Sequence, residues 1–152
     1  MAPLNILIGG DSFREIRENN CCYVDKTSFL EEMLATVPAK VSLITRPRRF
    51  GKTLMMTMLQ EFFDIRKDSK KLFEGLAISK NERLCAAWMN QYPTLFLSLK
   101  GVEGQNFPHA IEKFTALIQR LISEKRYLLS SDTLFDEDKE KLRRLQSRQV
   151  ST

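Results

Sequence analysis

A short apolar, β-branched run, Val41-Ser42-Leu43-Ile44-Thr45, leads directly into Arg46-Pro47-Arg48-Arg49-Phe50-Gly51-Lys52-Thr53. From Lys52 to about Phe63 the apolar residues Leu54, Met55, Met58, Leu59, Phe62 and Phe63 then recur at helical spacing. A strand, a basic loop ending in Gly-Lys-Thr and a helix are the ingredients of a phosphate-binding P-loop. Such a loop wraps main-chain N–H groups around phosphate oxygens while the following helix points its positive dipole end at the same charge. Gly51 allows the tight turn, Lys52 reaches the β and γ phosphates, and the Thr53 hydroxyl is placed to ligate Mg²⁺.

The usual pattern, G-x-x-x-x-G-K-[ST], opens on glycine, and here Arg46 stands in that place. Arg46 must therefore adopt a less common backbone conformation or relax the start of the loop. Arg48 and Arg49 contact phosphate or are simply solvated; an arginine-rich turn is also what an ordinary basic surface looks like. The strand before and the helix after favour the phosphate reading. The expected nucleotide-binding set is Arg46, Arg48, Arg49, Phe50, Gly51, Lys52, Thr53 and Leu54, with ATP and Mg²⁺ as the ligands and Thr53 as the metal contact. No N-K-x-D segment is present to read guanine, which disfavours GTP.

Around the loop, the spacing of Phe13 and Ile16 predicts a short helix over 11–18, with Asp11 or Ser12 as its N-cap. Tyr23-Val24 reads as a brief extended piece. Asp25 or Thr27 caps a second helix carrying Phe29, Leu30, Met33 and Leu34 and stopped by Pro38. The segment Tyr23–Thr27 has two readings, a flank of the nucleotide or plain helix capping. A helix over 81–90 follows, with Trp88 and Met89 expected to pack it against a sheet, and Thr94–Leu99 is a second strand candidate. Pro108 suits a first helical turn, and Ile111, Phe114, Ile118, Leu121 and Ile122 mark an amphipathic helix to about Leu129. The tail 132–152 is charged and helical, anchored by Leu134, Phe135, Leu142 and Leu145. Met55, Met56 and Met58 read as core filling. His109, the sole histidine, reads as a surface residue. The element order is that of an α/β protein.

Composition adds bounds. The chain has 152 residues, enough for one domain, and 24 Lys and Arg against 19 Asp and Glu, a net charge of +5 that favours anionic partners without choosing among them. No apolar stretch approaches a membrane span, and the N-terminus lacks the pattern of a signal peptide. Cys21 and Cys22 are adjacent and Cys85 is alone, so reduced thiols in a cytoplasmic protein are expected, and no Cys/His cluster suggests zinc.

The loop and three further segments, Asp11–Arg17, Tyr23-Val24-Asp25-Lys26-Thr27 and Tyr92–Gly101, resemble the AAA-ATPase-like family of prokaryotic predicted ATP-binding proteins, in matching order and over nearly the whole chain. Arg-Pro-Arg-Arg at the loop start is a habit of that family, which accounts for Arg46. The resemblance implies a P-loop NTPase domain with a parallel sheet, of which residues 1–152 are the N-terminal portion, truncated before the acidic strand that completes hydrolysis. Members usually join a C-terminal nuclease-like domain, which is expected to be absent from residues 1–152. Asp136-Glu137-Asp138 lacks a preceding apolar run, and Asp25 precedes the loop, so neither replaces that acidic strand. The expected function is Mg-ATP binding with incomplete hydrolysis machinery. A basic nucleic-acid-binding fragment and a non-functional gene remnant are the alternatives. Both strand candidates would then lack ladder partners.

Overall fold

The computed structural model describes residues 5–7, 9–35 and 41–147. It divides into two units, the first running through Thr94 and the second from Leu95.

In the first unit the helices are α1 (Phe13–Glu18), α2 (Ser28–Ala35), α3 (Lys52–Phe63), α4 (Lys70–Phe73) and α5 (Glu82–Trp88), with a 3-10 turn at Ala77–Lys80. α3 is the centre. Its Met58 and Phe62 are buried with Phe13 of α1, Leu30 of α2, Leu72 and Phe73 of α4, and Leu76 and Ile78. The rings of Phe13 and Phe73 lie 4.9 Å apart, and Phe73 meets Phe62 edge-on at 5.4 Å. Burying three such rings together contributes strongly to the apolar core of the unit.

Polar contacts fix how α1 meets this core. Ser12, the N-cap of α1, accepts from the Glu15 N–H. The Phe13 N–H donates to the Thr57 hydroxyl at 3.1 Å, and that hydroxyl lies 2.9 Å from the Asp11 carbonyl. Arg14 binds Glu61 of α3 through Nη2 to Oε2 at 2.7 Å and Nε to Oε1 at 3.3 Å. Arg17 donates to the carbonyls of Leu72 and Glu74, each at 2.7 Å, satisfying acceptors that the short α4 leaves open. The segment Phe13-Arg14-Glu15-Ile16-Arg17 is thus a structural brace.

The far end of α3 is held by Asn90. Its side-chain amide donates to the carbonyls of Glu61 and Asp64 at 3.0 Å each, and its own N–H reaches the Phe62 carbonyl at 2.7 Å. Asn90 adopts φ 55, a left-handed conformation asparagine tolerates better than most residues. Next to it, Asp64 and Tyr92 form a single parallel bridge, and Trp88 stacks on Tyr92 at 5.1 Å.

In the second unit α6 (Phe107–Glu124) starts at Asn106, whose side chain accepts from the His109 N–H at 3.0 Å, with Pro108 in the first turn. His109 is exposed, as expected. A 3-10 turn at Arg126–Ser130 separates it from α7 (Asp136–Ser147), which carries three acids in its first turn and i,i+3 and i,i+4 pairs such as Lys141–Asp138 and Arg144–Glu140. α6 has no fully buried residue. This unit's apolar core is thin.

The expected parallel sheet is not found. Among the described residues no strand forms, and the Asp64–Tyr92 bridge is the sole strand-like pairing. The chain is therefore helical here, and the α/β P-loop NTPase architecture does not describe it. Val41–Thr45 and Thr94–Leu99 carry strand-type residues but run exposed: Val41 is 82%, Leu43 85% and Leu95 68% accessible. The reason is physical. A strand exists only through a ladder with a neighbour, and a two-strand pairing without further strands is marginal in water. Here one candidate lies in the first unit and nearly all of the other in the second. Trp88 and Met89 consequently pack on Phe63, Tyr92 and the helical core, not on a sheet. Met56 is another departure. The helical period that buries Met58 and half-buries Met55 turns Met56 outward, so it does not fill the core. Pro38, expected to end α2, lies outside the described residues.

Candidate nucleotide site

The basic loop ends where α3 begins. Gly51 is the N-cap of α3, with φ 75 and ψ 26, a conformation that L side chains rarely adopt. Two residues earlier Arg49 also takes a positive φ, 68. That left-handed position for a residue with a long side chain costs energy, and such strain concentrates at functional loops. Gly51 offers no side-chain cap, and the first turn of α3 contains no acid. The N–H groups at the start of any α-helix lack helical acceptors, and here no side chain of the N-cap supplies one.

Lys52 turns back on the loop. Its ammonium donates to the main-chain carbonyls of Arg46 at 2.5 Å and Pro47 at 2.9 Å, closing the turn across six residues. Arg46 is thus brought to Lys52 through its carbonyl, while its guanidinium and that of Arg48 are exposed. Thr53, in the first turn of α3, is exposed as well.

Beside the loop lies a cleft of about 420 Å³. Arg49, Phe50, Gly51 and Leu54 line it from the loop side, and Tyr23, Val24 and Lys26 face them. Four of the eight residues expected at the site therefore share one cavity; Arg46, Arg48, Lys52 and Thr53 do not line it. Of its described lining residues two are cationic, Lys26 and Arg49, and none is acidic. The remainder are mostly apolar. Such a cavity suits a ligand with an anionic end and an apolar or aromatic body.

The segment Tyr23–Thr27 reaches this cleft because its two ends are anchored elsewhere. Asp25 accepts from the Thr27 N–H and hydroxyl at 2.8 and 2.7 Å, and from the Ala77 N–H at 2.7 Å. Thr27 is fully buried and accepts from the Ile78 N–H at 3.1 Å. Burial works to raise the Asp25 carboxyl, but these donated hydrogen bonds outweigh it and hold the group below the usual carboxylate range. Asp25 and Thr27 therefore clasp the 3-10 turn at Ala77–Lys80. Lys26, between them, extends to the loop and lies 3.5 Å from the Phe50 carbonyl.

Two features escaped sequence reasoning. One is the ionic cluster in which Glu61, 4% exposed, accepts from Arg14, Lys67 and the Ser69 hydroxyl. A glutamate between Met58 and Phe62 on the apolar stripe of α3 was its available signal. The other is the direction of Lys26. No periodicity reports it, since it follows from an anchoring contact 51 residues downstream.

Among the described residues no group of three His, Cys, Asp or Glu stands close enough to hold a metal ion. None of the described helices is long and apolar enough to cross a membrane. Cys21, Cys22 and Cys85 are free thiols, and burial pushes the Cys85 thiol up.

The turn thus combines a glycine in the left-handed region, an uncapped helix start and a lysine that closes the loop on itself. The chain belongs to the AAA-ATPase-like family, described as predicted AAA-ATPase, whose model matches residues 7–150. It is also similar to an uncharacterized protein in the vnfD 5′ region of Azotobacter chroococcum mcd 1, with 32% identity over 102 residues. That match takes in 66% of this chain and 18% of the relative, so the chain spans less than a fifth of that protein. No solved structure matches the chain.

Proposed function

We propose that this chain binds a nucleoside triphosphate, ATP with Mg²⁺, at the loop 46–53 and the cleft beside it. The carrying observation is the convergence of Lys26 and Arg49 on a cleft with no acid among its described lining residues, next to the uncapped start of α3 at Gly51. An anion there would meet open main-chain donors, the helix dipole and several cations at once. Membership of a predicted ATPase family supports the nature of that anion.

In this reading the helix-start N–H groups and Lys52 hold the phosphates. Lys52 would exchange its loop carbonyls for phosphate oxygens or share them. The Thr53 hydroxyl would be the protein's contact to Mg²⁺, which would supply neutralisation of phosphate charge. Phe50, Leu54, Tyr23 and Val24 shelter the nucleoside. Turnover needs a carboxylate to orient Mg²⁺ and water. Asp25, the acid adjoining Lys26 in sequence, is committed to Thr27 and Ala77. Binding is thus the function these residues carry.

The test is Mg-ATP affinity of the chain and of Lys52→Ala, measured by titration calorimetry. Binding lost in the variant supports the reading; equal binding by both refutes it. Affinity instead for DNA that falls steeply with salt would indicate that the basic loop serves a nucleic-acid backbone.

A further inference from the structure

We propose that Lys26 is a second phosphate-positioning lysine, acting on the polyphosphate chain at the start of α3 from outside the loop. This rests on the ATP-binding reading and adds a residue that the loop motif does not contain.

The placement of Lys26 follows from its neighbours. Asp25 and Thr27 are both fastened to the 3-10 turn, through Ala77 and Ile78, so the main chain is pinned on either side of Lys26. The side chain is left to extend over the mouth of the loop. Its ammonium lies 3.5 Å from the Phe50 carbonyl, and a Cβ built on Gly51 would stand 4.0 Å from it. This is the N-terminal end of α3, where the helix dipole makes a positive charge unfavourable. Arg49 lines the same cleft, and the first turn of α3 holds no acid to offset either cation. The exposed ammonium makes one long hydrogen bond to a neutral carbonyl and keeps further donors open to a ligand in place of water. An anion seated at Gly51 would complete the arrangement.

The two lysines differ in what they hold. Lys52 closes the loop from within, bonded to Arg46 and Pro47. Lys26 comes from a different segment and makes no loop-closing contact beyond Phe50. Its effect should therefore depend on the charge of the ligand and leave the fold unaltered. The ligand class it selects is a polyphosphate, irrespective of the base.

The experiment compares Lys26→Gln, Lys26→Arg and Lys52→Ala with the unmodified chain, titrating Mg-ATP, ADP and adenosine and recording melting without ligand. Lys26→Gln is expected to weaken Mg-ATP and ADP about ten-fold, the scale of one hydrogen bond to a charged group, with adenosine unaffected. Lys26→Arg should restore most of the loss, and melting should not move. Full ATP affinity in Lys26→Gln beside lost affinity in Lys52→Ala overturns this proposal and leaves the ATP reading intact. So does an equal loss of adenosine, or a lowered melting point, since either means that Lys26 acts through the base or the fold. If Lys52→Ala binds as the unmodified chain does, the ATP reading fails and this proposal fails with it.

Discussion

Arg14 grips Glu61 through both Nη2 and Nε, at 2.7 and 3.3 Å, and this two-point contact joins the first helix of the chain to the central one. Arg14 also reaches Glu18 at 2.9 Å, one turn along α1. Glu61 in turn holds Lys67 and Ser69, so one carboxylate gathers three segments. Glu61 is buried while Arg14 and Lys67 are partly exposed, so the carboxylate is the member that depends on the contacts and the cations keep access to water.

Glu61→Ala, which removes charge-assisted hydrogen bonds to Arg14, Lys67 and Ser69, is expected to destabilise the fold by about 2 kcal/mol, read from urea unfolding at neutral pH. A loss under half that size would show that Arg14 and Lys67 find solvent easily.

The same carboxylate predicts an acid sensitivity. Burial works to raise Glu61, but the hydrogen bonds from Arg14, Lys67 and Ser69 outweigh it and hold the group below its ordinary value. The stability this contributes is complete at neutral pH. It decays as pH falls from the ordinary glutamate range through the lower folded value. Asp25, also held low, adds in the same direction. Melting temperature should drop on acidification, and Glu61→Gln should flatten that drop. An unchanged slope in the variant would remove Glu61 as its source.

Gly51→Ala tests the loop without touching a charge. The nearest atom to an added Cβ is Lys26 Nζ at 4.0 Å, so there is room and the cost is conformational. About 1 kcal/mol is expected from forcing alanine into the left-handed region, with nucleotide affinity falling as the loop relaxes. Gly51→Asn should be milder than Gly51→Ala, and the reverse order would mean that the loop does not keep this conformation in solution.

Asp25→Ala separates the clasp from the lysine it carries. It removes acceptors for Thr27 and Ala77, and a melting decrease equivalent to about 1–2 kcal/mol is expected together with weaker ATP binding. Lys26→Gln should weaken binding with no change in melting, so the two phenotypes distinguish support from contact. Identical melting curves for Asp25→Ala and the unmodified chain would refute the clasp.

Much of the helical layout could be read directly. α3 spans Lys52–Phe63, the limits that its apolar spacing indicated, and Ser12, one of the two expected caps, caps α1 with its own side chain. Local signals suffice there, since capping and periodicity are properties of a few adjacent residues. The strands failed for the opposite reason. Val41–Thr45 has every local mark of a buried strand, yet being one depends on neighbours that no local pattern reports. The site divides along the same line. The loop motif is contiguous and legible, whereas the turn of Lys26 toward it depends on Ile78 and Ala77, some fifty positions downstream.

The exposed apolar segments carry a prediction of their own. Long apolar runs without ladder partners invite pairing between copies. The purified chain is expected to self-associate as concentration rises, measured by light scattering, and Leu43→Lys with Leu97→Lys should suppress this while leaving helical circular dichroism intact. Association indifferent to both substitutions would assign it to another surface.

The clamps at the two ends of α3 make that helix a connecting rod. Its 12 residues span about 18 Å. At one end stand Gly51 and the basic loop; at the other, Asn90 fastens the last carbonyls and Tyr92 docks beside Asp64. A helix is stiff along its axis, so a displacement of Gly51 would be felt at Asp64 and its bridge to Tyr92, inside the same unit.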